Sequence, residues 1–413
     1  MKGISVLTKL TIKNFKRFDK AEVDLGKSVV LIGPNNSGKS TALQALALWD
    51  LGLRRWTEKR QGKSTALQRT GVVINRRDLV ALPVPTANLL WRDLHVRNVK
   101  RQAGKQKTQN VRVDILVEGI TDDQAWTCGL EFDYANEESF YCRLLRLDDG
   151  GQPERMTIPE LAIKVKVALL PPMSGLTDRE FIKQPGEIGV LIGQGQTAQV
   201  LRNLCYRVCW PSDGATKPSD DWLEMTEQLS RLFGVKLLLP KFIGERSEIV
   251  MGYEEKSGTR LDLSSSGRGM QQTLLILAHL YANSHTVLLL DEPDAHLEVL
   301  RQRQTYQLIN DLAEEKGSRI IAASHSEVVL AEAANRGTVV AFVGKPHLLN
   351  DRGSQVMKAL TDLGWDQYYQ AEQTLGAVCR GRNGLGSSQG IRQNFGTPCT
   401  GNLGNAICSL CHN

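Results

Sequence analysis

The chain has 413 residues, which corresponds to two or three domains at about 150 residues per domain. Its 41% apolar and 23% charged residues are typical of a folded globular protein, and they exclude a disordered, collagen-like or short disulfide-stapled chain. No apolar run reaches the ~18 residues of a membrane helix, and the start lacks the apolar region of a signal peptide. We therefore expect a cytoplasmic protein without membrane contact, whose eight cysteines are reduced thiols.

The net charge of +6 is unevenly distributed. Residues 51–110 contain fourteen Lys and Arg against three acidic residues, a local charge of +11, so the remainder of the chain carries −5. Such a basic stretch can be the electrostatic footprint of a nucleic-acid contact, or simply a solvated insertion. The sequence leaves both interpretations open.

The first predicted elements are strands. Leu7–Ile12 and Ala21–Leu25 alternate between apolar and polar residues, and Ser28–Ile32 is an apolar, β-branched run. A glycine-rich turn at 33–38 and a helical pattern over Thr41–Leu53 follow, whereas 51–110 shows few clear elements.

The second half combines both periodicities. Arg112 to Leu147 alternates, which predicts antiparallel strands, and 155–240 has the pattern of helices and loops rich in Pro and Gly. The remaining predicted elements are a helix at 272–282, a strand at Val287–Leu290, a helix at Leu297–Glu315, and strands at Arg319–Ala323 and Thr338–Val343. Strands that alternate with helices predict an α/β fold, largely parallel, with an antiparallel portion near residue 120.

The turn after the third strand carries a phosphate-loop motif. Its sequence GPNNSGKS fits G-x-x-x-x-G-K-[ST] between an apolar strand and a helix, which is the context that the motif requires. Glycines let backbone N–H groups face phosphate oxygens, while Lys39 would reach the β- and γ-phosphates and Ser40 would ligate Mg²⁺. The predicted nucleotide-binding residues here are Gly33, Pro34, Asn35, Asn36, Ser37, Gly38, Lys39, Ser40 and Thr41.

A second motif, VLLLDEPDAHLE, begins with an apolar strand. The end of that strand presents Asp291, which is suited to hold Mg²⁺ directly or through water. Glu292 beside it is placed to polarise the attacking water as a general base. The combination with an upstream phosphate loop predicts hydrolysis of a nucleoside triphosphate.

Two further segments complete the predicted site. The stretch LSSSGRGMQQ opens a helix, and it is either a second phosphate cradle or a simple N-cap. The strand IIAASHS ends in His325, which could hydrogen-bond the γ-phosphate and sense its loss.

These four motifs, in this order, resemble the ABC-ATPase superfamily of SMC, RecF and OLD (overcoming lysogenization defect) proteins. The resemblance covers about residues 1–345 and implies a P-loop NTPase fold, an ABC-type ATPase head with a mixed sheet and a helical and basic insertion. It also implies that ATP and Mg²⁺ close a head-to-head homodimer, in which each signature motif caps the nucleotide of the other chain. By resemblance Arg17 lies near the nucleotide, Asp294 belongs to the D-loop and His325 is the switch histidine. The signature residues are Ser265, Ser266, Gly267 and Gly269, and no residue is matched to the Q-loop glutamine.

The wording DEPDAHLE and the segment LTDLGWDQYYQAEQT at 360–374 resemble OLD-like ATPases. About 225 residues separate the phosphate loop from the signature without heptads, so no SMC coiled-coil arm fits. In OLD proteins a Toprim nuclease domain follows the ATPase. We therefore expect an ATPase domain at 1–345, with a basic insertion at 51–110 and a helical one at 155–240, and a connector at 346–374.

The last segment, 375–413, differs in composition from the preceding chain. It has eight glycines and three arginines but no Asp, Glu or Lys. A frameshift before the Toprim domain, an unusual native tail and a zinc knuckle at Cys408 and Cys411 are the alternatives. The segment is glycine-rich without a periodic apolar pattern, so we expect it to be disordered. Because it has no carboxylate side chain for a Toprim metal site, we expect no nuclease activity from this chain.

Three functions follow from the sequence. The first is an ATP-driven dimer that acts on DNA in repair, recombination or phage defence. The second is a clamp or sensor that recruits a separate nuclease or effector protein. The third is an OLD-family endonuclease when the chain is full length. A Rossmann-like match at Gly193, Gly195 and Ala198 lacks a βαβ unit, and we interpret it as a helix-opening turn.

Overall fold

The computed structural model describes residues 5–60, 62–63, 70–79, 82, 84–102, 105–147, 154–173, 175–212 and 214–349. The chain divides into two units, Met1–Asp362 and Leu363–Asn413, and every described residue belongs to the first. The basic stretch is therefore described in part. Most of the expected connector, the segment 375–413 and the cysteines within it lie outside the described residues.

The described α-helices are numbered in chain order. They are α1 Lys39–Arg60, α2 Glu160–Ile163, α3 Pro185–Gly193, α4 Leu201–Cys209, α5 Asp220–Phe233, α6 Arg268–Ala282, α7 Val299–Glu315 and α8 Glu327–Arg336.

The described strands are numbered in the same way. They are β1 Ser5–Phe15, β2 Phe18–Asp24, β3 Ser28–Ile32, β4 Val72–Asn75, β5 Arg97–Gln102, β6 Lys105–Asn110, β7 Arg112–Thr121, β8 Gln124–Asn136, β9 Ser139–Leu144, β10 Val167–Leu170, β11 Lys236–Leu237, β12 Lys241–Ile243, β13 Glu248–Val250, β14 Gly252–Glu254, β15 Arg260–Asp262, β16 Val287–Asp291, β17 Arg319–Ser324, β18 Thr338–Ala341 and β19 His347–Leu348.

One sheet is almost entirely parallel, in the order β10-β16-β17-β3-β18-β19. Only its last pair, β18 with β19, is antiparallel among the described strands. The strands β16 and β17 are continuous apolar runs because both faces of a parallel sheet are covered. Their carboxyl ends and that of β3 meet at one edge, which is where parallel sheets of this kind place ligands.

A second sheet is antiparallel, in the order β2-β1-β7-β8-β9-β4. Buried and partly exposed residues alternate along β7, because only one face of this sheet packs against the core. The predicted antiparallel strands between residues 112 and 147 are confirmed as β7, β8 and β9.

Helix α1 joins the two sheets. Trp49 is fully buried, stacks on Trp126 with ring centroids 6.1 Å apart, and donates its indole N–H to the Cys128 carbonyl at 3.0 Å. Gly52 lets the helix approach the antiparallel sheet, since a Cβ there would lie 2.9 Å from Leu130. The helix therefore carries the phosphate loop at its start and an anchor to the second sheet in its middle.

Three local expectations from the sequence are wrong. The helix predicted over Thr41–Leu53 continues to Arg60, because Trp56 adds another buried position among the basic residues. Residues 167–170 form an edge strand of the parallel sheet rather than part of a helical insertion. Gly193 and Gly195 end helix α3 instead of opening a helix, and Gly195 has a φ of +73°.

Candidate active site

The phosphate loop connects β3 to α1 at the carboxyl edge of the parallel sheet. The Lys39 ammonium is 5% exposed and donates to the carbonyls of Gly33 and Pro34, at 2.8 and 2.9 Å. Burial lowers the pKa of Lys39, while the carboxylates Glu292, Asp291 and Asp294 act in the opposite direction. The ammonium thus lies within the loop that is predicted to cradle phosphate.

Close packing fixes the shape of this loop. Gly38 has a φ of +108°, and a Cβ there would lie 2.6 Å from the Phe18 ring and 2.8 Å from Arg17 Cδ. The turn between β1 and β2 therefore contacts the loop, which places Arg17 beside it. Asn35 and Asn36 are exposed at the tip of the loop.

The structure brings the two predicted metal ligands together. Ser40 donates its hydroxyl to Asp291 Oδ1 at 2.9 Å, although 251 residues separate them in sequence. Burial raises the pKa of the Asp291 carboxyl, and the bond from Ser40 partly offsets this effect. Oxygen atoms of a hydroxyl and a carboxylate are the donors that Mg²⁺ prefers, so this pair fits the ion that the sequence resemblance implies. Thr41 is the next residue of α1.

Glu292 and His325 face each other from adjacent strand ends. The Glu292 backbone N–H donates to the Ala323 carbonyl at 2.8 Å, and Glu292 Oε1 lies 3.7 Å from His325 Nδ1. Glu292 has a φ of +49°, a conformation that costs a non-glycine residue about 1 kcal/mol or more and that occurs often at functional sites. Both side chains are partly exposed, so water can reach them.

The Asp294 side chain is buried. It is 5% exposed, and burial raises its pKa while a hydrogen bond from Ser324 lowers it. His296, two residues further along the chain, is exposed and has a φ of +65°. The D-loop segment therefore has a buried carboxylate and an exposed histidine.

The signature segment forms a short turn before α6. Leu263–Ser265 is a 3₁₀ turn, and the Ser266 hydroxyl donates to the Leu263 carbonyl at 2.7 Å. Ser265 and Gly267 are exposed, whereas Gly269 is buried against the His296 carbonyl, 2.7 Å from where a Cβ would lie. Among the described residues, no recorded hydrogen bond or ion pair joins this segment to the phosphate loop of the same chain.

Sequence reasoning missed several residues around the signature. Arg202 is 1% exposed and pairs with Asp262 at 2.9 Å. Gln272 is also buried, and its Oε1 accepts the Met173 backbone N–H at 2.5 Å. Met173 follows β10, the strand that the periodicity did not reveal. An arginine or glutamine within a mixed segment carries no local signal of burial, so only the fold identifies these contacts.

Four cysteines belong to the described part of the chain, and all are buried and free: Cys128, Cys142, Cys205 and Cys209. In that same part, no helix combines the length and the apolar character needed to cross a membrane.

Two family models match the segments that build this site. A model described as "AAA ATPase domain" matches residues 6–49, which include the phosphate loop. A model described as "AAA domain, putative AbiEii toxin, Type IV TA system" matches residues 206–331, which include the signature segment, Asp291, Glu292 and His325.

Individual proteins match over shorter stretches or at low identity. The cobalamin import ATP-binding protein BtuD of Halobacterium salinarum is 38% identical over 80 residues, which are 19% of this chain and 20% of that protein. The chain thus spans about a fifth of the length of this curated relative.

Among solved structures, the SMC head domain from Thermotoga maritima is 16% identical with a TM-score of 0.43, over 83% of this chain and 98% of that one. The Smc head domain with a coiled coil and joint from Pyrococcus yayanosii is 11% identical with a TM-score of 0.49, over 87% and 100%.

The architecture confirms the α/β P-loop NTPase fold that the sequence predicted. The matched models cover both halves of the site, and they describe an AAA ATPase domain and an AAA domain. Together with the order of the motifs, they support an ATPase of the AAA/ABC type.

Proposed function

We propose that this AAA/ABC-type ATPase binds ATP with Mg²⁺, closes into a homodimer through the shared nucleotides, and acts on DNA. The observation that carries the nucleotide site is the contact between Ser40 and Asp291, with Lys39 and Glu292 at the same sheet edge. A structural role alone does not require a buried lysine whose only recorded hydrogen bonds go to carbonyls of a glycine-rich loop.

Each residue of the proposed site has a separate role in ATP hydrolysis. When ATP binds, the Lys39 ammonium exchanges its two carbonyl partners for phosphate oxygens, and the N–H groups at the start of α1 add further donors. Mg²⁺ held by Ser40 and Asp291 would neutralise phosphate charge. Glu292 accepts a proton from water, whose oxygen attacks the γ-phosphorus as the bond to the β-bridging oxygen breaks. His325, 3.7 Å from Glu292, is placed to orient that carboxylate and contact the γ-phosphate.

The dimer is supported by the exposure of the signature turn. Ser265 and Gly267 face solvent at the start of α6, where unpaired backbone N–H groups favour an anion. The nucleotide of a second copy would supply that anion, and it would complete each site with residues of both chains.

The dimer proposal is tested with Ser266→Arg, which puts a bulky side chain into the proposed interface and also removes the bond from the Ser266 hydroxyl to the Leu263 carbonyl. We expect normal ATP binding to the monomer but no dimer with a non-hydrolysable ATP analogue in size-exclusion chromatography. The matched control is Ser257→Arg, on an exposed turn of the same region, which should dimerise as the wild type does. A normal dimer of Ser266→Arg would count against the shared site.

The DNA contact is assigned to the hairpin of β5 and β6. The segment 97–112 contains six Lys and Arg and no acidic residue, and its two strands pair only with each other among the described sheets. The register places Lys100 directly opposite Lys107. A hairpin of two strands is marginal by itself. Its excess of positive charge without an acidic residue can attract a polyanion, which favours a nucleic-acid contact over a solvated insertion.

Among ABC-type ATPases, the wording DEPDAHLE favours the OLD-like group. We therefore propose a role in DNA repair, recombination or phage defence in the cytoplasm.

A Toprim site requires several carboxylates around a metal ion, and 375–413 contains no carboxylate side chain. We therefore expect ATP hydrolysis but no metal-dependent DNA cleavage from this chain.

A further inference from the structure

A buried arginine connects the helical segment to the signature turn. Arg202, at the start of α4, is 1% exposed. Its Nη2 donates to Asp262 Oδ1 and its Nη1 donates to the Thr177 carbonyl, both at 2.9 Å. A buried guanidinium costs several kcal/mol unless it is paired and hydrogen-bonded, so these partners determine its position.

Asp262 carries the connection into the signature turn. The oxygen that accepts the Arg202 bond also accepts the Ser264 backbone N–H at 2.8 Å, which caps the 3₁₀ turn. Burial alone would raise the pKa of Asp262, but the bonds from Ser264 and the charge of Arg202 hold it below its usual value. The carboxylate is thus ionised and shared between the arginine and the turn.

The arginine itself is fixed by a second carboxylate, which is buried. Glu180 is 1% exposed, and its Oε2 accepts the Arg202 backbone N–H at 2.9 Å. Its Oε1 accepts the backbone N–H of Asn203 at 2.6 Å and the Asn203 side-chain amide at 2.8 Å. The start of α4 is therefore anchored before it contacts Asp262.

The signature turn has few stabilising contacts of its own. The N-cap of α6 is Gly267, which has no side chain to cap the helix, and Ser264 and Ser265 are exposed. Asp262 thus provides a cap for the turn that would otherwise depend on the Ser266 hydroxyl and the Gln271 amide.

We propose that Arg202 and Asp262 form a positioning pair that holds Ser265–Gly267 in the shape required by the nucleotide of the partner chain. The proposal rests on the shared nucleotide site proposed above. The described hydrogen bonds of the two side chains go to Thr177, to each other and to Ser264, and none goes to the phosphate loop, so their effect would be transmitted through the backbone of the signature turn. Loss of the pair should therefore weaken the closed dimer and its transition state, and should not change ATP binding by the monomer.

The test measures kcat, ATP affinity and Tm for Asp262→Ala, Asp262→Asn and the double variant Arg202→Met/Asp262→Ala. Asp262→Ala should reduce kcat about tenfold or more, as expected for a charge-assisted bond, with ATP affinity within about twofold of wild type. Asp262→Asn keeps an acceptor oxygen and should retain kcat within about threefold. The control Glu254→Gln breaks the exposed pair with Arg260 in the same small sheet and should behave as the wild type does.

The double variant separates positioning from stability. Replacing both partners with apolar groups removes the unpaired buried charge, so the Tm should rise back toward the wild-type value. Under our proposal kcat stays low, because the turn still lacks its cap.

A double variant in which kcat recovers together with the Tm would overturn the proposal. So would an Asp262→Ala variant that has wild-type kcat and a normal ATP-dependent dimer. Failure of the shared site is recognised separately, because Glu292→Gln would then stay monomeric in ATP.

Discussion

At the scale of single residues, the position of Lys39 makes a direct prediction. Its ammonium is held by the carbonyls of Gly33 and Pro34 inside the phosphate loop. Lys39→Ala should abolish ATP hydrolysis and weaken nucleotide binding, because the cation that faces the β- and γ-phosphates is lost. Steady-state turnover and fluorescent-nucleotide titration provide the measurement.

The control for this substitution is Lys9→Ala, which removes a lysine that pairs with Glu22 on the surface of β1. Lys9→Ala should leave turnover unchanged. Unchanged turnover in purified Lys39→Ala would show that the nucleotide site is wrongly assigned.

His279 predicts a pH dependence of stability. It is 6% exposed in α6, neither ring nitrogen has a hydrogen-bond partner among the described residues, and burial lowers its pKa to about 4. In the unfolded chain the ring titrates near its ordinary pKa of 6.5, so the unfolded state binds more protons between these values. The stability that neutral His279 contributes is present above pH 6.5 and is lost as the pH falls toward 4.

His279→Leu should remove this dependence. The wild type should lose about 2 kcal/mol more stability than the variant between pH 7.5 and pH 5, in chemical denaturation at each pH. The exposed His347→Leu is the control and should follow the wild type. Parallel curves for wild type and His279→Leu would contradict the assignment of a buried neutral histidine.

At the scale of elements, the hairpin of β5 and β6 predicts a salt dependence. Neutralising Arg97, Lys100, Arg101, Lys105 and Lys107 to Gln should weaken duplex DNA binding and flatten the plot of log affinity against log salt, because fewer counterions are released. The control replaces Lys9, Lys13 and Lys20 of β1 and β2 with Gln. This variant should keep most of the salt dependence of DNA binding. An unchanged affinity in the hairpin variant would identify 51–110 as a solvated insertion.

The elements also show what the sequence could predict. The motif segments were recognised because each pairs a strand of apolar residues with a short polar signature, as in the phosphate loop and Asp291–Glu292. The edge strand β10 was missed, because a run of only four apolar residues cannot be distinguished from a turn of helix. The Arg202–Asp262 contact joins residues 60 positions apart, and no periodicity reports such a pairing.

At the scale of the whole molecule, one geometric fact dominates. The phosphate loop, the Ser40–Asp291 contact and the Glu292–His325 pair lie at one sheet edge of a single chain, whereas the signature turn presents Ser265 and Gly267 to solvent. Under our proposal, a monomer holds most of a nucleotide site together with a turn that binds the phosphates of a second copy. In a dimer, the signature turn of each copy would face the nucleotide of the other copy and so complete both sites.

The most direct test of the shared nucleotide site is the molar mass of the Glu292→Gln variant in the presence of ATP and Mg²⁺. Without the carboxylate that activates water, ATP should persist and trap the closed state. Analytical ultracentrifugation should show a species of roughly twice 45.8 kDa with ATP and a monomer without nucleotide. The double variant Glu292→Gln/Ser266→Arg should stay monomeric under both conditions. A monomeric Glu292→Gln that binds ATP fully would contradict the shared nucleotide site.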